Sequence, residues 1–263
     1  MRRLLIFIAI AMLALPAFSG TAYDFRSATT GIRKTTMSGR IEVEGKNLRM
    51  NVVEGDGKLF RNGAIVLSKD GGKTLVVTSP SDKTFYEVNL DDLLGGAGAM
   101  LKSLGDLVKI TFDNQKVAVR DAGAGETIEG YPTRRSLLDA SYDMNVITGG
   151  QKMSTHMSMK TESWTTDRIA ADAMNWFQTT GVRTGIDGID KLIEAQSRAT
   201  KGGFPLKQVT TVTVDRGGQK MVSTTTATVT NIATRAIAAS EFVMPAGYRK
   251  VPSPLDRMMA GRP

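Results

Sequence analysis

Apolar and polar side chains alternate along most of this chain, and turn residues punctuate the alternation. Ile41 and Val43 alternate with Glu42 and Glu44, Gly45-Lys46-Asn47 follows, and Leu48, Met50 and Val52 then alternate with Arg49 and Asn51. Successive side chains of a strand point to opposite faces, so this pattern predicts a hairpin with one buried and one wet face. Turn signals recur at Asp70-Gly71-Gly72, between IVLS and TLVVTS, and at Pro80-Ser81-Asp82, before KTFYEV. The first third therefore reads as an antiparallel meander, in which neighbours in sequence are neighbours in the sheet.

Strand spacing returns at Val108, Ile110 and Phe112, and again at Val117 and Val119. The clearest half-buried strand follows: Leu138, Ala140, Tyr142, Met144 and Val146 share one face, and Asp139, Ser141, Asp143 and Asn145 the other. Gly149-Gly150 turns it into MSTHMSMKTESWTTD, where Met153, Thr155, Met157 and Met159 fall on one side and Ser154, His156, Ser158 and Lys160 on the other. Strict alternation puts Trp164 with His156, whereas a bulge near Glu162 would turn it to the apolar side. The C-terminal third reads as two more strands, FPLKQVTTVTVD and KMVSTTTATVTNIAT, joined at Arg216-Gly217-Gly218. Their threonines and valines suit a pleated, half-exposed surface.

Two segments carry helical spacing instead. Leu93, Leu94, Met100, Leu101, Leu104 and Leu107 recur every three or four residues between about Asn89 and Leu107, interrupted by Gly95-Gly96-Ala97-Gly98. Each glycine costs about 1 kcal/mol relative to alanine in a helix interior, so this helix is expected to be locally weak, as a cover on the core or a mobile gate over an apolar face. A second helical region is expected from about Arg168 to Ala199, divided at Gly181 and Gly185, with Ile186, Ile189, Ile193 and Gln196 on one stripe.

The first residues, MRRLLIFIAIAMLALPAFSGTAYDF, change the picture of where the protein works. Two arginines, an apolar run from Leu4 to Leu15 and small residues beyond it read as a secretory signal peptide over 1–22, cleaved after Ser19 or Ala22. The run is short of the ~20 residues that span a bilayer. The expected location is the periplasm. Without Arg2 and Arg3 the chain keeps 32 basic against 26 acidic residues, a formal charge of +6. The two signs are interspersed, which argues against nucleic acid and leaves a weak attraction to anionic surfaces and transient membrane contact. There is no cysteine, so no disulfide holds the fold and it must rest on a core. One domain is expected over 23–251, with a flexible tail over 252–263.

Catalytic signals are lacking. The one histidine, His156, has no G-x-S-x-G serine to serve, and the glycines near Gly95 lack the lysine and hydroxyl of a phosphate loop. His156 turns away from the methionines beside it, so a mixed His/Met copper site is geometrically poor; the methionines alone could offer thioether ligands, but fill apolar gaps more commonly. No catalytic residue, metal site or cofactor is assigned.

Four motifs occur in order: GETIEGYPT at Gly125 to Thr133, ESWTTD at Glu162 to Asp167, GGFPLK at Gly202 to Lys207, and EFVMPAGYRKV at Glu241 to Val251. Together they resemble an uncharacterised family of exported bacterial proteins, a domain of unknown function similar to the LolA/LolB-like lipoprotein carriers. The resemblance implies a mainly β fold with helices (α+β): a strongly curved antiparallel sheet, an unclosed barrel, with helices on its concave side. In the carriers that hollow receives acyl chains. The expectation is a non-catalytic protein holding a lipid or lipoprotein acyl chain against Leu138, Tyr142, Met144, Met157 and Met159, beneath Met100 and Leu104. The alternative is an envelope scaffold whose own helices fill the hollow. The sequence does not address oligomeric state.

Overall fold

The computed structural model describes residues 20–55, 60–90, 92, 108–170, 187–199, 203–253 and 256. Eleven strands follow one another, most of them where the alternation predicts: β1 (Gly20–Gly31), β2 (Thr35–Glu44), β3 (Asn47–Glu54), β4 (Ile65–Ser68), β5 (Thr74–Ser79), β6 (Thr84–Asn89), β7 (Val108–Ala124), β8 (Arg134–Thr148), β9 (Gln151–Thr166), β10 (Phe204–Arg216) and β11 (Gln219–Arg235). A short β12 (Arg249–Lys250), one α-helix, α1 (Asp187–Ala199), and a 3-10 turn at Ala239–Phe242 join them among the described elements. All strands form one curved sheet in the order β12-β6-β5-β4-β3-β2-β1-β11-β10-β9-β8-β7, and the two ends do not meet.

The turns form where the chemistry asks for them. Glu44 pairs with Asn47 around Gly45-Lys46, and Thr148 pairs with Gln151 around Gly149-Gly150. Both glycines of the second turn have positive φ, 57° and 79°, the backbone a two-residue hairpin matched to strand twist requires. The two apolar stretches at Val108 and Val117 are one strand rather than two. A bulge between Asp113 and Lys116 keeps Ile110, Phe112, Val117 and Val119 on the same face, paired with Val146, Met144, Ala140 and Leu138.

Cross-strand partners share a face, so the register traces the core. Tyr86 pairs with Val77, Val77 with Val66, Val66 with Met50, Met50 with Ile41 and Ile41 with Tyr23. This row crosses six strands and every member is buried. Ile169, Phe204 and Leu206 pack into the same cluster. A second row, Thr29, Thr225, Thr210, Thr161 and Leu138, carries that face on from β1 to β8, tied by hydroxyl hydrogen bonds of 2.8 Å between Thr29 and Thr225 and 3.0 Å between Thr161 and Thr210. One continuous face thus serves both halves of the sheet.

Helix content differs from expectation. Residues 167–169 form a bend, the Arg168 amide donates to Thr166 Oγ1 at 3.4 Å, and Ile169 is buried in the core. A local side-chain bond and a tertiary contact there replace the first turn of the expected helix. Helix α1 begins only at Asp187; Ile193 is half-buried, whereas the side chains of Ile186, Ile189 and Gln196 lie outside the described residues. The first helix starts where predicted, with Asn89 Oδ1 accepting the Asp92 amide at 3.1 Å as an N-cap does. Its body, the expected gate over 93–107, lies outside the described residues, as do Met100 and Leu104. At the expected start of the tail, Ser253 is buried and exchanges hydrogen bonds with Asp256 in a capping box.

Candidate functional site

Among the described residues the face is closed over β1–β6 and half-covered around Tyr142, Met144, Met157 and Met159 on β8 and β9, where the strands are longer. Strands β4 to β6 have 4 to 6 residues and β7 to β11 have 13 to 17. At about 3.3 Å per residue the long strands reach roughly 50 Å, well beyond the packed core. On that extension Tyr142 pairs with Met157, Met157 with Val214 and Val214 with Met221. The next row joins Val117, Ala140, Met159 and Val212, and Phe112 stands 5.6 Å from Tyr142, ring to ring.

Register therefore brings together five of the seven residues singled out from sequence. Tyr142, Met144, Met157 and Met159 are half-buried on this open face. Leu138 shares the face but is sealed, 1% exposed, in a small cluster with Ala195 of α1 and Met159. The helix fills the site at Leu138, Ala140 in the next row is buried as well, and the half-covered part begins two rows away at Tyr142 and Met157. Phe112, Val212 and Val214 join the site without having been singled out. The period-2 pattern placed each on an apolar face, but only the pairing shows that it is the same face.

Burial pushes the Tyr142 phenol above the usual tyrosine range, so it presents a neutral ring with one hydroxyl. The described open face thus offers thioethers, aromatic edges, β-branched aliphatic groups and hydroxyls. Such a surface suits an apolar chain of variable shape, because methionine adapts its three torsions to what it touches.

The opposite face is polar. His156 Nδ1 lies 2.7 Å from Asp143 Oδ1, and Asn114 Nδ2 donates to Asp143 Oδ2 at 2.6 Å. The Asn114 bond, then that of His156, holds the Asp143 carboxyl below its ordinary range. Beside it Asn145 bridges Ser154 at 2.7 Å and Asp113 at 2.6 Å. Each of these groups has a partner, and among the described residues no group of three or more His, Cys, Asp or Glu could hold a metal ion.

The same face settles the position of Trp164. Strands β8 and β9 pair without a register shift, so Trp164 lies with His156, away from the core. The Lys207 ammonium sits 4.6 Å from its ring centroid and the Arg135 guanidinium 5.8 Å, and Arg135 is itself ion-paired with Glu162. Gly125 lies against the indole: a Cβ there would come within 2.8 Å of Trp164 Cδ1 and 2.4 Å of Thr133 Oγ1. Cations and a close-fitting loop thus cover the tryptophan without a second apolar core. GETIEGYPT and ESWTTD, far apart in sequence, are thus two sides of one contact.

Comparison with known proteins bears on the family. A crystal structure of a LolA superfamily protein from Nitrosomonas europaea matches with 9% sequence identity and a TM-score of 0.30, covering 88% of this chain and 92% of that chain. A search of curated proteins gave no match. Residues 28–248 match the family described as Domain of unknown function (DUF4412), and the chain belongs to that family.

Proposed function

We propose that the protein is a non-catalytic carrier of the cell envelope that holds a fatty-acyl chain, of a lipid or lipoprotein, on the open half of its apolar face. The observation that supports this reading is the change in cover along one face: close-packed over β1–β6, half-open around Tyr142, Met144, Met157 and Met159. Apolar sites with few polar groups are the usual form of small-ligand pockets. Delipidated protein is expected to take up a fluorescent fatty acid saturably, with one chain per protein. Absence of saturable uptake would leave the open face to another role, with the seal of Ala195 on Leu138 favouring a scaffold that fills its own hollow.

Export is part of the proposal, and the fold supports one of its two cleavage sites. Thr21 and Ala22 are buried and paired on both sides, with Val43 and Thr234, and with Glu42 and Ala233. Cleavage after Ala22 would strip three residues from an interior strand. The mature chain is therefore expected to begin at Gly20, after Ser19. The intact mass of protein recovered from the periplasm checks this; a chain beginning at Tyr23 would contradict it.

A further inference from the structure

Of the eight large apolar side chains that stand exposed among the described residues, four gather at three hairpin ends on one rim of the sheet. Ile32 (52% exposed) lies in the β1–β2 turn, Met221 and Val222 (42% and 47%) at the β10–β11 turn, and Met153 (40%) at the β8–β9 turn. Single exposed apolar residues are ordinary, but a cluster at loop tips is not.

The register places these ends side by side as a staircase. Pairing of β1 with β11 stops at Gly31 and Ser223, so Gln219 to Val222 project past β1. Pairing of β10 with β9 stops at Asp215 and His156, so Gln151 to Thr155 project past β10. The steps touch: a Cβ at Gly31 would meet the Val222 carbonyl, and Arg216 contacts the Met153 sulfur.

Charge at these three ends is one-sided. Arg33 and Lys34 stand on the first end, Arg216 and Lys220 on the second, and Lys152 on the third, all exposed. The only carboxylate within these ends, Asp215, accepts the Gly218 amide at 3.2 Å. Elsewhere in the chain basic and acidic residues are mixed, so this concentration belongs to the three hairpin ends. Exposed aliphatic side chains among lysines and arginines are the composition of a surface that inserts shallowly between anionic headgroups.

We propose that this rim docks the protein on an anionic lipid bilayer, with Ile32, Met153, Met221 and Val222 entering the interface and the five cations meeting lipid phosphates. The apolar face that carries Met157 runs out to Met221 on the same row, so docking brings the open site to the membrane from which an acyl chain would come. The interaction goes beyond the carrier reading and does not depend on it, because docking is a property of the ligand-free protein.

The test is co-sedimentation of delipidated full-length mature protein with vesicles of phosphatidylcholine alone or of equimolar phosphatidylcholine and phosphatidylglycerol. Binding is expected only to the anionic vesicles, and should weaken as salt rises. A basic residue near such a surface contributes roughly fivefold in affinity, so Lys152→Gln, Arg216→Gln and Lys220→Gln combined should weaken binding on the order of a hundredfold. Met221→Ser with Val222→Ser should leave the salt dependence intact and lower affinity at every salt concentration. All five positions are exposed, and unchanged thermal unfolding would show that the variants keep the fold. Equal binding to neutral vesicles, or anionic binding unaffected by the triple variant, would overturn the proposal. Vesicle binding without fatty-acid uptake would keep the rim and discard the carrier; uptake without vesicle binding would do the reverse.

Discussion

Replacing Phe204 with alanine is expected to destabilise the protein by about 3–5 kcal/mol, the range for truncating a fully buried aromatic side chain. Phe204 is 1% exposed, and its ring meets that of Tyr23 edge to face, 5.1 Å between centroids at 81°. The two lie on β10 and β1, which are separated in the sheet by β11, so the contact reaches across a strand. It is available because β10 pairs with β11 only from Lys207 onward and β10 bulges against β9 between Pro205 and Lys207. Tyr23 also ends the buried row through β6, β5, β4, β3 and β2. Truncating Phe204 would therefore open a cavity where the two halves of the sheet share their packing, and part of the edge-to-face term of about 0.5–1.5 kcal/mol would be lost with it. Urea unfolding should show a lower midpoint with an unchanged slope. Met221→Ala, on the exposed rim, should fall within about 0.5 kcal/mol of the parent. Equal shifts for the two variants would mean that the core does not lie at Phe204.

Much of this architecture was legible because a period of two is written directly in side-chain polarity. The hairpins at Gly45, Gly71, Gly149 and Gly217 and the shared face of Leu138, Tyr142 and Met144 all followed from alternation and turn chemistry. The junction of β1 with β11 did not. It brings Thr29 to Thr225, and no local pattern encodes a pairing between residues so far apart in sequence. The parallel pairing of Arg249 and Lys250 with β6 is equally silent, being two residues long. Trp164 shows a different limit. Alternation placed it correctly on the polar face, but tryptophan's size argued for the core, and the cations and Gly125 loop that resolve the conflict come from β8, β10 and the β7–β8 connection. The expected first turn after Arg168 failed for a related reason, since Ile169 contributes more to the core than it would to a helix. At the candidate site, alternation identified the methionines and tyrosine, whereas the seal of Ala195 on Leu138 and the contribution of Phe112, Val212 and Val214 depended on tertiary neighbours.

The substitution Met157→Asp separates a binding face from a structural one. Met157 is half-buried between Tyr142 and Val214 on the open part of the face. In the ligand-free protein an aspartate there remains accessible to water, so the fold should lose only about 1 kcal/mol, near the centre of the range for point substitutions. A bound acyl chain would cover that carboxylate and leave it without a partner among thioethers and aromatic edges. An uncompensated buried charge costs about 3–5 kcal/mol, which lowers affinity between roughly a hundredfold and a few thousandfold. Met157→Leu keeps the volume and the apolar character and should cost less than about 1.5 kcal/mol in packing, with uptake retained. Fluorescent fatty-acid titration of the three proteins, alongside urea unfolding, reads both quantities. A strong loss of uptake in the aspartate variant alone, at nearly unchanged stability, is the expected result. If Met157→Asp instead unfolds the chain as Phe204→Ala is expected to weaken it, the face at Met157 is ordinary core and the chain must bind elsewhere. If the aspartate variant takes up fatty acid as well as the parent, the ligand does not lie along Tyr142, Met157 and Val214.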